Sequence, residues 1–204
     1  MPGPPHRSNH PPPQVVLIGG SLCASSRTGR LAVWCAGRCA EEGAVVTCLR
    51  GADLELPFYR PHRGDGPQRV PRIVAALARA DGVVLLSPTY HGTVSGLLKN
   101  ALDYANDLAD AREPFLSDRP IGCVAISSGD QGAHSTLATL RTIAHALRGW
   151  PTPLGLALSG ERAELDTTGA PADPRTRAAL EILLDQVLVA ARRRVRPTVA
   201  GARR

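Results

Sequence analysis

Leu85-Leu86-Ser87-Pro88-Thr89-Tyr90-His91-Gly92-Thr93-Val94-Ser95-Gly96-Leu97-Leu98-Lys99-Asn100-Ala101-Leu102-Asp103-Tyr104 carries a buried strand into a Pro/Gly loop and directly on into a helix. In an open α/β sheet such a corner lies at the carboxyl end of a strand, where ligands collect. A second corner of the same kind follows Val15-Val16-Leu17-Ile18 and reads Gly19-Gly20-Ser21-Leu22-Cys23-Ala24-Ser25-Ser26-Arg27-Thr28.

Outward from these corners, short β-branched runs alternate with helical patterns, the signature of βαβ units around a parallel sheet. Strands are predicted over residues 15–18, 44–49, 83–87, 121–127 and 154–158. Helices are predicted over 28–42, 96–108 and 134–147, and where Val70, Ile73, Val74, Leu77 and Ala78 keep a helical period. Leu180, Leu183, Leu184, Val187, Leu188 and Ala191 mark the last helix, with Pro174 at its start, where a missing N–H costs nothing. The expectation is an α/β three-layer sandwich with a five-stranded parallel sheet in the order 2-1-3-4-5, a flavodoxin-like arrangement. Residues 50–71 and 161–174 read as irregular crossing loops.

The chain has 204 residues, enough for one domain with a real core. Its net charge of +6 has a simple location. Arg192, Arg193, Arg194, Arg196, Arg203 and Arg204 supply six of the 24 basic charges, which leaves 18 basic against 18 acidic residues in the body. This reads as a neutral body before Arg192 with a solvated, arginine-rich end, the domain being drawn over 15–194 and the basic tail over 195–204, and not as a nucleic-acid binder. No apolar run reaches the roughly 18 residues of a membrane helix. Residues 1–14 are Pro-rich without an apolar segment, so they read as a disordered arm and not as a secretory signal. The five cysteines lack metal-ligand spacing, and Cys35 and Cys39 sit four apart on a predicted helix face as buried thiols. A cytoplasmic, reducing compartment is expected.

The first corner opens onto a helix N-terminus, whose free N–H groups and positive dipole end attract phosphate. Ser21, Ser25, Ser26 and Thr28 add hydroxyls, and Arg27 can give a charge-assisted fork. Thr28 suits a helix cap as well as a phosphate contact. A P-loop needs Gly-Lys-Ser/Thr, but the single lysine, Lys99, lies elsewhere. The G-x-G-x-x-G dinucleotide fingerprint is missing too. Cys23 and Arg27 enclose only three residues, too tight a loop for a phosphatase of Cys-x5-Arg type. A receiver domain would need acids at the ends of strands one and three, and none stands there.

At the second corner Pro88 fixes φ, Tyr90 offers an apolar body with a polar tip, and the backbone of residues 89–93 can present amides to a flat heterocycle. His91 serves either that ring or the solvent. Lys99 and Asn100, at a helix start, suit bracing the loop better than chemistry. Ser127-Ser128-Gly129-Asp130-Gln131 follows the fourth strand and borders the same crevice, with Asp130 and Gln131 equally suited to a turn. Sheets of this order hold FMN at the switch between the first and third strands.

These residues resemble the NADPH-dependent FMN reductase family. Its motif Pro-x-Tyr-[Asn/His]-Gly-x-x-x-Gly-x-Leu-Lys-Asn-x-Leu-Asp is met at Pro88, Tyr90, His91, Gly92, Gly96, Leu98, Lys99, Asn100, Leu102 and Asp103. Its first motif, Gly-Ser-x-Arg-x-x-Ser, is met at Gly20, Ser21 and Ser26, with Cys23 standing where many relatives carry Arg. The resemblance implies FMN, with Ser21, Ser26, Arg27 and Thr28 around its phosphate. It places Pro88, Thr89, Tyr90, His91 and Gly92 by the ring system, and Ser127, Ser128, Gly129, Asp130 and Gln131 across from them. It also implies NADPH or NADH as co-substrate, and a homodimer or homotetramer whose neighbouring subunit helps wall the flavin. The activity it implies is passage of hydride from NAD(P)H to flavin N5 and then of electrons to a second acceptor: a small molecule (free flavin, a quinone or an azo compound) or a partner enzyme. His91 is the side chain to test as proton donor. The alternative is a non-catalytic FMN-binding electron carrier serving a flavin-dependent monooxygenase, which the neutral body disfavours because dedicated carriers are acidic.

Overall fold

The computed structural model describes residues 11–23, 25–61 and 71–195. The expected N-terminal arm up to residue 10, the tail from residue 196 and Val70 of the second helical pattern lie outside the described residues. Strands are β1 Gln14–Gly19, β2 Val45–Arg50, β3 Gly82–Tyr90, β4 Thr93–Val94, β5 Pro120–Ile126, β6 Trp150–Pro151 and β7 Leu156–Leu158. Helices are α1 Arg27–Glu41, α2 Arg72–Arg79, α3 Gly96–Asp103, α4 Asp130–Ala146 and α5 Pro174–Arg194.

The sheet runs β2-β1-β3-β5-β6 in parallel, with β7 also paired to β5 and the two-residue β4 antiparallel to β3. The expected 2-1-3-4-5 order therefore stands, but in seven strands, because β6 and β7 share the fifth place. Pro151 and Pro153 lack the N–H a continuous ladder needs. Between the two strands Thr152 N–H still reaches the Ile121 carbonyl (2.9 Å). Leu154 N–H turns away to Gln186 Oε1 (3.0 Å) on α5.

Alternation along the buried strands sorts side chains into two cores. Val15, Leu17, Val84 and Leu86 pack with Leu31 of α1 and Leu180, Leu183 and Val187 of α5. Val16, Ile18, Val83 and Leu85 pack with Ile73 and Leu77 of α2, Leu98 and Leu102 of α3, and Leu140 of α4. Three layers result, and each fully buried Leu, Ile or Val contributes about 1.5–3 kcal/mol.

Several boundaries differ from expectation for local reasons. Strand β3 continues through Pro88 to Tyr90, since residues 89–90 pair back on β4. Helix α3 tightens into a 3-10 turn over Tyr104–Leu108, and α4 begins at Asp130, four residues earlier than its apolar period suggests. The irregular segment after β2 opens with a 3-10 turn, Gly51–Leu54. Helix α5 runs on to Arg194, and two of the arginines in its last turn are bonded: Arg192 donates to the Glu42 carbonyl (2.6 Å) and Arg194 to the Glu113 carboxylate (2.8 Å). Those two belong to the folded body and not to a solvated tail.

Candidate functional site

The carboxyl ends of β1, β3 and β5 bring three loops to one edge of the sheet. The first begins at Gly19-Gly20. A Cβ on Gly20 would stand 2.7 Å from Leu98 Cβ and 2.9 Å from Ser95 Oγ, so only glycine lets this loop lie against the start of α3. Ser95 holds the two together. Its hydroxyl donates to the Gly20 carbonyl (2.7 Å) and accepts from Leu98 N–H (3.1 Å), capping α3. Its own N–H donates to Ser87 Oγ (3.0 Å), whose hydroxyl donates to the Pro88 carbonyl (2.7 Å). Ser87 and Ser95 are buried and escaped the reading of the sequence. A serine just before a helical period was the available signal for Ser95; nothing local marks its bond to a residue 75 positions away.

Ser26 caps α1, its Oγ accepting from Gly29 N–H (3.0 Å). The cap is therefore Ser26, and Thr28 lies buried in the first turn. Ser21 is buried and its carbonyl accepts from Gly51 N–H (3.1 Å). Arg27 is half-buried and faces Glu164 at 3.8 Å. The first turn of α1 carries no acid. Cys23 is exposed, and its sulfur lies 3.1 Å from Ser25 Oγ. Hydrogen bonds from the Ser25 side chain and backbone hold this thiol below the ordinary cysteine range.

The second loop is a hairpin and not an open Pro/Gly loop. Thr89 pairs with Val94 and Tyr90 with Thr93, leaving His91 and Gly92 as a two-residue turn with φ of 51° and 82°. Two left-handed residues are what a type I′ hairpin requires. Tyr90 and His91 are exposed at the tip, and Pro88 and Thr89 are partly covered. The tip is fastened to α4: Ser135 hydroxyl donates to the Gly92 carbonyl (2.6 Å) and Thr89 hydroxyl to Thr136 Oγ1 (2.9 Å). Asn100 braces residues 56–59, accepting from Tyr59 N–H (2.8 Å) and donating to the Pro57 carbonyl (3.0 Å). Lys99 pairs with Asp103 one turn on.

In the third loop Ser127 is half-buried and accepts from Gly129 N–H (3.3 Å), while Ser128 and Gly129 are exposed. Asp130 and Gln131, expected in a loop or turn, form the first turn of α4, and the Asp130 carboxylate accepts from Ser159 hydroxyl. The structure thus gathers the three predicted groups of residues at one sheet edge, with Thr28 and Ser21 covered and Tyr90, His91, Ser128 and Gln131 open.

This edge suits a phosphate-bearing ligand. The start of α1 offers the positive end of a 15-residue helix, a guanidinium and hydroxyls with no acid in the first turn to compete. The backbone is uncovered at Gly92 of the hairpin tip, Gly96 at the start of α3 and Gly129 of the third loop, where a Cβ would meet nothing within 4 Å. Away from the edge, burial pushes the Cys39 thiol up to about 11 and the Cys123 thiol to about 12, so both are inert at neutral pH. Among the described residues no helix is long and apolar enough to cross a membrane.

Comparison with known proteins identifies the family. An NADPH azoreductase of Bacillus sp. (strain OY1-2) is 30% identical over 165 residues, 79% of this chain and 85% of that protein. An FMN-dependent NADPH-azoreductase of Staphylococcus haemolyticus (strain JCSC1435) is 32% identical over 147 residues, 70% of this chain and 74% of that protein. The fold is shared with the flavoenzyme NAD(P)H:(acceptor) oxidoreductase FerB of Paracoccus denitrificans, at a TM-score of 0.67 and 21% identity over 89% of this chain and 98% of that one. The family model of NADPH-dependent FMN reductase matches residues 13–163, which include all three loops. The chain is a member of this family of flavin-dependent oxidoreductases.

Proposed function

We propose that the edge formed by the three loops binds FMN and uses NAD(P)H to reduce a small acceptor: an azo compound, a quinone or free flavin. The observation that carries this reading is the acid-free start of α1, with Arg27, held beside the hairpin through Ser95 and Gly20. When bound, FMN would supply the two-electron chemistry between NAD(P)H and the acceptor.

The residues of the chain bind and orient. Ser26, Arg27 and the first-turn N–H groups of α1 would hold the phosphate, with Arg27 free to trade its long contact with Glu164 for it. The hairpin over Thr89, Tyr90, His91 and Gly92 and the loop at Ser127, Ser128 and Gly129 flank the rings. Their backbone N–H groups and the dipole of α4 favour negative charge there. His91, exposed at the tip, is the side chain available to carry a proton for the acceptor. A His91→Ala variant with unchanged turnover and pH–rate profile removes that role.

A homodimer or homotetramer in which a second subunit covers the rings belongs to this reading through the family resemblance, and Tyr90 is left exposed for such a contact. Buried free thiols at Cys35, Cys39 and Cys123 suit a reducing, cytoplasmic setting.

The deciding experiment is an absorbance spectrum of the purified chain, followed by anaerobic titration with NADPH and NADH. A flavin spectrum, or uptake of added FMN, bleached by NADPH and restored by a quinone or azo dye, is expected. Protein that neither retains added FMN nor oxidises either nucleotide ends the reading. Reduction by a partner reductase alone makes the chain a carrier.

A further inference from the structure

The amino ends of the strands, opposite the flavin edge, hold a different cluster of charge. A cavity of about 450 Å3 lies between the end of α2, the 109–119 loop and the end of α5, lined by Arg112, Glu113, Arg119 and Arg194 with Ala78 and Leu108. Arg119 is 3% exposed. Of its five N–H groups, Nε donates to the Ala80 carbonyl (2.7 Å), one Nη to Phe115 (3.3 Å) and the other to Ala78 (3.2 Å). Glu113 stands 3.8 Å from Arg119, too far for a hydrogen bond, because it is drawn to Arg194 at 2.8 Å. Two Arg119 donors therefore have no acceptor among the described residues. The Arg194 Nε is buried without a partner as well.

We propose that this cavity is a second anion site, taking inorganic phosphate or the phosphoryl end of a small phosphomonoester between Arg112, Arg119 and Arg194. Three guanidinium groups against one carboxylate leave the lining at a net charge of +2, which a phosphate dianion balances. Asp81, the other acid that acts on Arg119, is occupied by Gln14 N–H (2.8 Å). Burial, and then the Arg194 charge, hold the Arg119 guanidinium below its ordinary range, against the pull of Glu113 and Asp81. A tetrahedral oxyanion accepts forked N–H pairs, the geometry arginine offers. The nine-residue strand β3 separates this cavity from the flavin edge by roughly 25–30 Å. An anion here ties α2, the 109–119 loop and α5 together and acts on stability, outside the reaction.

The test titrates inorganic phosphate and, separately, glycerol phosphate into the FMN-supplemented protein at about 0.15 M sodium chloride, reading heat and 31P line width. Saturable one-to-one binding is expected, weakened about tenfold by Arg194→Gln or Arg112→Gln, the loss of one charge-assisted hydrogen bond. The unfolding midpoint should rise with phosphate in the wild type and stay flat in the double variant. Neither substitution touches Arg119, whose carbonyl bonds hold the loop. Binding of phosphate alone identifies the free ion as ligand, and equal binding of the ester identifies the phosphoryl end. No saturable binding by the wild type, or binding kept at full strength in the double variant, overturns the proposal.

Discussion

Helices α1 and α5 both lie on the same face of the sheet, yet they begin in opposite ways. At α5 the Asp173 carboxylate accepts from Arg175 N–H (3.1 Å), Thr176 N–H (3.0 Å) and Thr176 hydroxyl (2.7 Å), so the helix carries its own anion. At α1 the cap is a neutral serine, the first turn holds no acid, and an arginine stands where α5 has proline. A self-capped start contributes to folding; an unfilled start keeps its positive potential for a ligand.

Giving α1 the cap of α5 is the strongest way to break that contrast. Ser26→Asp sets a carboxylate where the phosphate is proposed to sit, and FMN affinity should fall by roughly two to three orders of magnitude. Aspartate caps as well as serine, so the unfolding midpoint of the FMN-free protein should hardly move. Fluorescence titration with FMN beside a thermal melt reads both. Arg27→Ala is milder: it removes one charge-assisted contact and should weaken FMN about tenfold or somewhat more, with little change in the melt.

Ser95→Ala sharpens the comparison from the other side, because it loosens the loop before α1 without altering charge. It removes the cap of α3 and leaves the Gly20 carbonyl without its donor. A loss of about 1–3 kcal/mol in denaturant unfolding is expected, with weaker FMN binding as a consequence. The smallest effect belongs to Asp173. Hydrogen bonds from the Thr176 hydroxyl and the Arg175 N–H hold its carboxyl below the usual range. A depressed folded-state pKa stabilises above the unfolded value, near 3.9, and that stability fades as pH falls through the folded value. The midpoint difference between wild type and Asp173→Asn should therefore be present at neutral pH and shrink below about pH 4.

Much of the fold was legible because the central strands are unbroken apolar runs. Val83, Val84, Leu85 and Leu86 are all fully buried, as a parallel sheet covered on both faces demands. The fifth strand was not fully legible, since Pro151 and Pro153 look like loop residues, yet Pro151 closes the short β6 at the sheet's edge and Pro153 falls in the gap before β7. The start of α4 was missed for a related reason. Gly132 reads as a helix breaker, but it is small because a Cβ there would press on Ser127 Oγ at 2.9 Å and Thr89 Cγ2 at 3.1 Å. At the site, the motif residues could be read from their spacing. The fastening serines could not, because Ser87, Ser95 and Ser135 act on backbone atoms that only the folded chain brings near. Arg119, hidden in a chain rich in arginine, gave no local sign of its burial.

The His91–Gly92 turn has one further consequence. With both tip residues in the left-handed region and the Gly92 carbonyl gripped by Ser135, the hairpin has its shape before any ligand arrives. Whatever docks there meets a fixed wall and not a closing flap, so no loop-freezing penalty is subtracted from its affinity.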